Sequence, residues 1–299
     1  MSQRLDHVVI AVRDLDAATR AYQRLGFTLT PRGHHSLGSS NNLAMFGTDY
    51  LELLGVEPRN AHLPTADWGH PPGLAGLVFK VPDAEAAYAQ LRERGVEVEG
   101  EAPRAFHRPV TLPDGSSQDA RFSTVRVATQ RIANGRVFLC QHFTPQLVWQ
   151  PAWQDHPNGV NAVAEYAYVS TDPEADSAVL REAFPDLQWR TLAEGRGYAA
   201  GLEGGAEVRY LTPEGFQAHY GAAPADANYK GTSRAAGLTL VTRDLQALRA
   251  LLERNGVRIA HDDGARIVVA PADAEGVALA FRARHATTQG LTRTHAPRV

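Results

Sequence analysis

The chain has 299 residues, of which 43% are hydrophobic and 21% are charged. This balance is typical of a soluble globular protein and excludes a disordered chain, a collagen-like fibre and a coiled coil. The length suits two domains of about 150 residues each. A formal net charge of −3 argues against a nucleic-acid partner held by phosphate contacts. No apolar run approaches the roughly 20 residues that a membrane helix needs, so we expect no membrane partner.

The N-terminus and the cysteine content indicate a cytoplasmic protein. Met1 to Arg4 lead directly into a strand pattern, without the basic and apolar segments of a secretion signal. Cys140 is the single cysteine, so the chain cannot form an intrachain disulfide. We therefore expect a reducing compartment.

A short apolar strand, an aspartate and an amphipathic helix follow one another four times. The four aspartates are Asp14, Asp83, Asp172 and Asp244. Each stands where a helix N-cap belongs, because an aspartate side chain accepts hydrogen bonds from the free N–H groups of the first turn. Their spacing of about 70 to 90 residues exceeds that of most solenoid repeats and fits a small α+β unit.

Each unit is predicted to contain a strand, a helix and then further strands. The first strands are 5–12, 77–81, 164–169 and 237–242. The later strands are 27–30, 42–46 and 50–54; 96–98, 121–129 and 137–143; 197–202 and 207–211; and 258–259, 265–270 and 277–281. Because such a unit buries little core alone, we expect the units to pair, with a linker at 149–161. This predicts one domain over 1–150 and another over 151–299, which ends in a poorly ordered tail from about residue 284.

Two segments resemble the vicinal oxygen chelate superfamily, which includes glyoxalases, extradiol dioxygenases and fosfomycin- and bleomycin-resistance proteins. Residues 5–16 are similar to its first strand and helix start, and residues 50–55 are similar to its fourth strand. The resemblance is closest to its glyoxalase-like domain proteins over residues 4–150, and it is weaker in the second half. It implies an α+β fold in which four βαβββ modules pair into two cup-shaped mixed sheets, with helices on the outer face. It does not define the activity, because one fold hosts many reactions.

The resemblance places metal ligands on the first and fourth strands, at His7 and Glu52. Strand alternation independently sets each of these side chains on the face opposite to that of its immediate neighbours. A carboxylate between leucines is costly to bury unless it is paired, protonated or metal-bound. Gly76 matches His7 in the second unit and supplies no ligand, so His142 is the candidate third ligand.

Two imidazoles and one carboxylate suit a divalent Fe, Mn, Ni, Co or Zn ion with open positions for substrate or water. In dioxygenases of this superfamily the second histidine comes from a first strand, whereas His142 belongs to a fourth strand. Each of these residues also has a structural interpretation in place of metal ligation. His7 would form a hydrogen bond at the sheet edge, Glu52 would form an ion pair, and His142 would occupy a core position. Cys140, on the same strand face as His142, is interpreted as a buried inert thiol.

Two predicted loops supply further candidates. Residues 32–42 are rich in glycine and serine and carry His34, a candidate general base beside Glu52, and His35 and Asn42, candidate substrate-binding residues.

The second loop, residues 104–109, carries Arg104, His107 and Arg108. Arg104 or Arg108 is a candidate for binding a carboxylate substrate through charge-assisted hydrogen bonds, and His107 is a further substrate-binding candidate. The alternative is a solvated charged loop.

The second half lacks a comparable set of ligands. Ala164 and Gly237 stand where first-strand ligands would be, and Tyr210 is the one candidate on a fourth strand. We expect this half to bind no metal. It is a candidate for closing the first cup, presenting a second binding surface or forming a homodimer.

The preferred interpretation is a metal-dependent isomerase or lyase of glyoxalase type. The ion would act as a Lewis acid on a small polar substrate with vicinal oxygens and stabilise an enolate or oxyanion, with Glu52 or His34 as general base. One alternative is an Fe(II) ring-cleaving dioxygenase. The other is a metal-free protein that binds an aromatic or antibiotic-like ligand in a cleft containing Trp149 and Trp153.

Overall fold

Two eight-stranded mixed sheets and five helices form the fold. The computed structural model describes residues 1–63, 72–132, 134–221 and 233–284. The first sheet contains β1 (Leu5–Ala11), β2 (Gly33–His34), β3 (Ser39–Met45), β4 (Tyr50–Val56), β5 (Gly73–Lys80), β6 (Arg104–Thr111), β7 (Ser117–Arg126) and β8 (Arg136–His142). The second contains β9 (Val160–Ser170), β10 (Trp189–Thr191), β11 (Gly197–Gly201), β12 (Glu207–Leu211), β13 (Ser233–Thr242), β14 (Ile259–Asp262), β15 (Arg266–Val269) and β16 (Ala278–Ala283). The helices are α1 (Leu15–Arg24), α2 (Ala84–Glu93), α3 (Pro173–Ala183), α4 (Pro213–Tyr220) and α5 (Leu245–Arg254).

The strand order is the same in both sheets. It runs β2-β3-β4-β1-β5-β8-β7-β6 in the first and β10-β11-β12-β9-β13-β16-β15-β14 in the second. In each module the first strand lies parallel to the last one, and two modules join through antiparallel pairs, β1 with β5 and β9 with β13. This confirms the predicted α+β fold of paired βαβββ modules.

Several predicted elements differ in the structure. Residues 104–111 form β6, where the sequence indicated a loop, whereas Val98 of the predicted strand 96–98 makes only an isolated bridge to Val127. Residues 27–30 precede the short strand β2 and are not themselves a strand. The tail predicted to be poorly ordered lies, from residue 285 onward, outside the described residues.

The four predicted N-caps are confirmed. Asp14, Asp83, Asp172 and Asp244 each accept a hydrogen bond from an N–H group in the first turn of the helix that follows. The sequence did not predict α4, which has eight residues and is capped by Thr212, whose hydroxyl accepts from the N–H of Gly215. Across the described ranges, every helix is too short or too polar to cross a membrane.

One apolar core lies between the two sheets and contains the inner faces of the four repeat helices. The rings of Phe79 and Phe184 lie 4.3 Å apart, and Phe27 stacks on Phe281 at 6.5 Å, so residues of both halves meet there. The helices therefore cover the convex face of each sheet, and the two convex faces pack against each other.

The segment predicted as a linker is packed. Trp153 is buried with the concave face of the first sheet. His156 Nδ1 accepts from the N–H of Thr28, and the amide of Asn158 donates to the carbonyl of Leu25 at the end of α1. These contacts attach the segment to the first half of the chain.

Helix α4 fills the concave face of the second sheet. Phe216 and Tyr220 pack there on small residues of the strands, among them Ala167 and Ala278. A Cβ atom at Gly237 would lie under 3.0 Å from the ring of Tyr220, so the glycine makes room for that ring. The second cup is thereby occupied by its own side chains.

Candidate active site

The concave face of the first sheet encloses a cavity of about 740 Å³. Because side chains alternate along a strand, every second residue of each strand faces it. The polar and aromatic lining includes His7, His35, Asn41, Tyr50, Glu52, Arg104, Phe106, Arg108, Phe122, Arg126, Arg136 and Phe138.

His7 and Glu52 meet at the base of this cavity. They lie on the adjacent parallel strands β1 and β4, and both are buried. His7 Nε2 is 3.5 Å from Glu52 Oε2. The imidazole of His7 stacks on the Tyr50 ring, with centroids 4.4 Å apart and planes inclined by 11°, which fixes its orientation.

Asp6 holds the other nitrogen of His7. Leu5 pairs with Phe79 and His7 with Val78, so Asp6 is the extra residue of a β-bulge, which re-aims its side chain. Its Oδ2 accepts from His7 Nδ1 at 2.7 Å and from His142 Nε2 at 2.9 Å.

The charge state of Asp6 follows from these contacts. Burial alone would raise the pKa of Asp6, but the charges and hydrogen bonds of His142 and His7 hold it well below its usual range. The ionised Asp6 accepts from His7 Nδ1, so Nε2 is the ring nitrogen directed to Glu52.

His142 does not reach the cavity. Its ring packs against Phe122 and Trp149, with centroids 4.9 Å away in both cases, and its Nε2 is directed to Asp6. In the described part of the chain, the group of three metal-ligating side chains whose atoms all lie within 4.8 Å is Asp6, Cys140 and His142. The sequence predicted His142 as a third ligand beside His7 and Glu52. In the structure His142 does not lie beside that pair at the cavity.

Asp6, Cys140 and His142 form a buried cluster that could hold a metal ion. Burial raises the pKa of the Cys140 thiol well above the ordinary value, so the thiol is protonated in the metal-free protein. Asp6 Oδ2 is already shared by two imidazoles. The cluster is better described as support for His7.

His35 approaches Glu52 from the opposite side. Its Nε2 lies 3.9 Å from Glu52 Oε1 and accepts from Asn41 Nδ2 at 3.1 Å, while its Nδ1 is 2.8 Å from Ser39 Oγ. Burial, with the positive charge of Arg108, lowers the pKa of His35 to about 3, so the imidazole is neutral near pH 7. Asn41 also donates to Glu52 Oε1 at 2.6 Å and was not selected from the sequence.

Besides His142, three of the residues selected from the sequence lie outside the cavity. His34 is exposed, with Nδ1 2.8 Å from Ser40 Oγ. The side chain of Asn42 bonds to Thr19, Arg32 and Thr30 on the other side of the sheet. His107 is exposed because it alternates with Phe106 and Arg108 along β6.

Four arginines of the described part of the chain line the cavity. Arg104 and Arg108 were selected from the sequence, although from a predicted loop, and both lie on the inner face of β6. Arg126 and Arg136 were missed. Alternation from Phe122 along the predicted strand 121–129 would have found Arg126.

The second sheet has a different pair at the positions of His7 and Glu52. Val9 pairs with Gly76 in the first sheet, and Ala167 pairs with Gly237 at the corresponding point of the second. Glu165 precedes Ala167 by two residues, as His7 precedes Val9, so Glu165 is the equivalent of His7. The sequence-based choice of Ala164 is thus wrong by one residue.

The same registers make Arg209 the equivalent of Glu52, and it pairs with Glu165 at 2.9 Å. His219 Nε2 and Thr239 Oγ1 complete the contacts of Glu165, at 2.7 and 2.8 Å. Tyr210 is stacked on Tyr168 at 4.4 Å within the core between the sheets. It therefore does not face the concave side.

These features define a protein of paired βαβββ modules with one open, metal-compatible cup. The family model for the glyoxalase-like domain matches residues 5–184, and the chain belongs to this family, within the vicinal oxygen chelate superfamily. None of the curated proteins matches the sequence.

Solved structures share the fold at low identity. A hypothetical protein from Staphylococcus aureus is 13% identical, with a TM-score of 0.67, over 94% of this chain and 99% of that one. A mutant of 4-hydroxymandelate synthase from Streptomyces coelicolor is 15% identical, with a TM-score of 0.59, over 94% and 92%. A xylose isomerase-like TIM barrel/4-hydroxyphenylpyruvate dioxygenase fusion protein is 15% identical, with a TM-score of 0.57, over 98% of this chain and 51% of that one.

Proposed function

We propose that the chain is a metal-dependent enzyme that acts on a small molecule in the first cup, with the ion held by His7 and Glu52. The observation that carries this proposal is the 3.5 Å approach of His7 Nε2 to Glu52 Oε2 on the floor of the cavity. Ligand bonds of about 2.0–2.2 Å allow two ligands of one ion to lie up to about 4 Å apart, so this pair can share an ion.

The surrounding residues support the same assignment. Asp6 presents the lone pair of His7 Nε2, which is the arrangement that orients histidine ligands in metal sites. Asn41 fixes one oxygen of Glu52 and leaves Oε2 directed to His7. His35, neutral and 3.9 Å from Glu52, is a candidate third ligand in place of His142.

The ion would supply Lewis acidity toward vicinal oxygens of the substrate, as in an isomerase or lyase. Within this site, Glu52 is the group able to accept a proton from the substrate, because it is the one carboxylate among the described lining residues. The aromatic rings of Tyr50, Phe106 and Phe138 exclude water from the floor of the cavity.

An oxygenase is the second candidate. It is favoured by the set His7, His35 and Glu52, because two histidines and one carboxylate with open positions suit Fe(II). Two of the structural neighbours are a mutant of 4-hydroxymandelate synthase and a 4-hydroxyphenylpyruvate dioxygenase fusion protein, but at 15% identity they support only the fold.

Metal titration of the chelator-treated protein tests the proposal. We expect one Zn²⁺, Mn²⁺, Ni²⁺, Co²⁺ or Fe²⁺ per chain by calorimetry and elemental analysis, and loss of binding in Glu52→Gln and His7→Ala. Glu57→Gln is the matched control, because Glu57 pairs with Arg32 outside the cavity. Unchanged metal content in Glu52→Gln would refute the proposal. Oxygen consumption with Fe(II) and 4-hydroxyphenyl 2-oxo acids or catechols, compared with anaerobic turnover of 2-oxoaldehydes, separates the two candidates.

A further inference from the structure

Arg108 is a buried cation that has no partner of opposite charge within 4.0 Å among the described residues. Its residue is 4% exposed, and the small exposed part faces the cavity. Among the residues that the structure describes, its guanidinium donates no hydrogen bond and has no carboxylate within 4.0 Å. Burial lowers the pKa of Arg108, and the charge of Glu52, farther away, only partly opposes this effect.

Such an arrangement is unfavourable in the free protein. Arginine is almost never fully buried unless it is paired, because removing a guanidinium from water costs several kcal/mol that a nearby anion normally offsets. A buried arginine that points into a cavity is therefore positioned to bind an anion that enters from outside.

The backbone makes room for this cation. A Cβ atom at Gly33 would lie 2.9 Å from Arg108 Nη1 and 3.1 Å from its Cδ. Any larger residue at position 33 would displace the side chain of Arg108. The position of Arg108 thus depends on a specific gap in the neighbouring strand.

The charges around the cavity have the same sign. Arg104, Arg126 and Arg136 also line it, against the single carboxylate of Glu52 among the described lining residues. Burial and then the charge of Arg136 lower the pKa of Arg126 to about 10, which shows how closely the cations are placed. An anionic ligand would relieve this repulsion.

An aromatic pair adjoins Arg108. Phe106, two residues earlier on β6, stacks on Phe122 of β7 with centroids 5.0 Å apart and planes inclined by 18°. Both rings line the cavity. They offer an apolar surface to the body of a ligand whose charged end is bound by the arginine.

We propose that the cavity takes a small organic anion, whose carboxylate or phosphonate group is bound by Arg108 and whose apolar body lies against Phe106 and Phe122. This inference deepens the proposed function by naming the substrate class of the same site. The planar fork of the guanidinium matches two oxygens of either anionic group.

The test measures anion binding in chelator-treated protein, so that it does not depend on the metal. Benzoate and phenylphosphonate are the probes, and benzamide is the neutral analogue of benzoate. By calorimetry and thermal shift, we expect at least one of the two anions to bind and benzamide not to. Failure of both anions at millimolar concentration, or equal binding of benzoate and benzamide, overturns the inference.

Two variants identify the residue. Arg108→Met should lower the affinity for the anion at least about tenfold, because a charge-assisted contact is lost, and should leave the thermal midpoint of the free protein unchanged or higher, because an unpaired buried charge is removed. Arg121→Met is the control, since Arg121 is exposed on β7 and does not line the cavity. A drop in thermal midpoint with anion affinity retained would show that Arg108 is structural and would overturn the inference.

The metal-binding test and the anion-binding test can fail independently of each other. Anion binding without metal binding would reject the proposed metalloenzyme and keep the anion site. Metal binding without anion binding would do the reverse.

Discussion

The buried Glu165 and the half-buried Arg209 form an ion pair of 2.9 Å in the second sheet, at the two positions that His7 and Glu52 occupy in the first. The two cups thus place different chemistry at equivalent points of one fold. In the second, a carboxylate is held by a guanidinium, an imidazole and a hydroxyl. In the first, an imidazole and a carboxylate face a cavity.

The Glu165 pair should make stability depend on pH in the acid range. Burial alone would raise the pKa of Glu165, but His219, Arg209 and Thr239 lower it to about 2. Because this folded-state pKa lies below the unfolded value of about 4.3, the contribution is present above that value and is lost as pH falls toward 2. We expect Glu165→Gln to lower the free energy of unfolding by about 2–3 kcal/mol at pH 6 and to flatten its slope between pH 5 and 2.

Urea denaturation across this pH range measures the effect. Glu93→Gln, at an exposed carboxylate, should reproduce the wild-type slope. An unchanged slope in Glu165→Gln would show that the ion pair does not contribute.

Asp49 should make stability depend on pH in the direction opposite to that of Glu165. Burial raises its pKa to about 7, although the N–H of Val163 donates to its Oδ1. The folded state therefore holds this proton more tightly than the unfolded state does, so the stability it contributes is present below pH 4 and is lost as pH rises through 7. Asp49→Asn keeps an acceptor for Val163 and should raise the free energy of unfolding at pH 8, by up to about 4 kcal/mol.

Denaturation at pH 5 and pH 8 checks this expectation, since the gain should be larger at pH 8 by about 2–3 kcal/mol. The exposed Asp186→Asn is the control. Equal effects at the two pH values would contradict it.

Asp6 should control metal affinity without binding the metal itself. It holds His7 Nδ1 at 2.7 Å and so fixes which nitrogen faces Glu52. We expect Asp6→Asn to weaken metal binding about 10–100-fold, the usual effect of removing a carboxylate behind a ligating histidine. Calorimetric titration with Zn²⁺ or Mn²⁺ measures it. Asp16→Asn, which removes the exposed partner of Arg32, should bind metal as the wild type does.

Gly237 should tolerate no side chain while Tyr220 is present. A Cβ atom there would meet the Tyr220 ring at under 3.0 Å. Gly237→Ala should therefore destabilise the protein by about 1–3 kcal/mol, the usual cost of overpacking. Adding Tyr220→Leu should give less than the sum of the two single effects, because both act on one contact. Gly201→Ala, with nothing within 4 Å of its Cβ position, is the control for thermal or urea unfolding.

The sequence predicted the fold well because its signals are local. A capping aspartate and the apolar period behind it act within one helix, and four copies confirm one another. Counting back seven residues from each aspartate gives His7, Gly76, Glu165 and Gly237. Counting back from Asp172 in this way indicates Glu165, whereas the choice of Ala164 did not follow the count.

The site was harder to predict because its geometry depends on contacts between distant strands. The β-bulge at Asp6 turns this carboxylate toward both His7 and His142, and no pattern in the strand's own residues indicates a bulge. Assigning residues 104–109 to a loop hid the alternation that separates Arg104 and Arg108 from the exposed His107. The eight-residue helix α4 has too few apolar residues to produce a clear helical period.

Gly33 links the two parts of the first cup. A Cβ atom there would come within 2.5 Å of Asn41 Oδ1, on the amide that orients Glu52, as well as within 2.9 Å of Arg108 Nη1. A single added methyl group would therefore disturb the carboxylate and the cation together, although it changes no charge. The spacing between the carboxylate of Glu52 and the guanidinium of Arg108 is thus controlled by a stretch of backbone that carries no functional group.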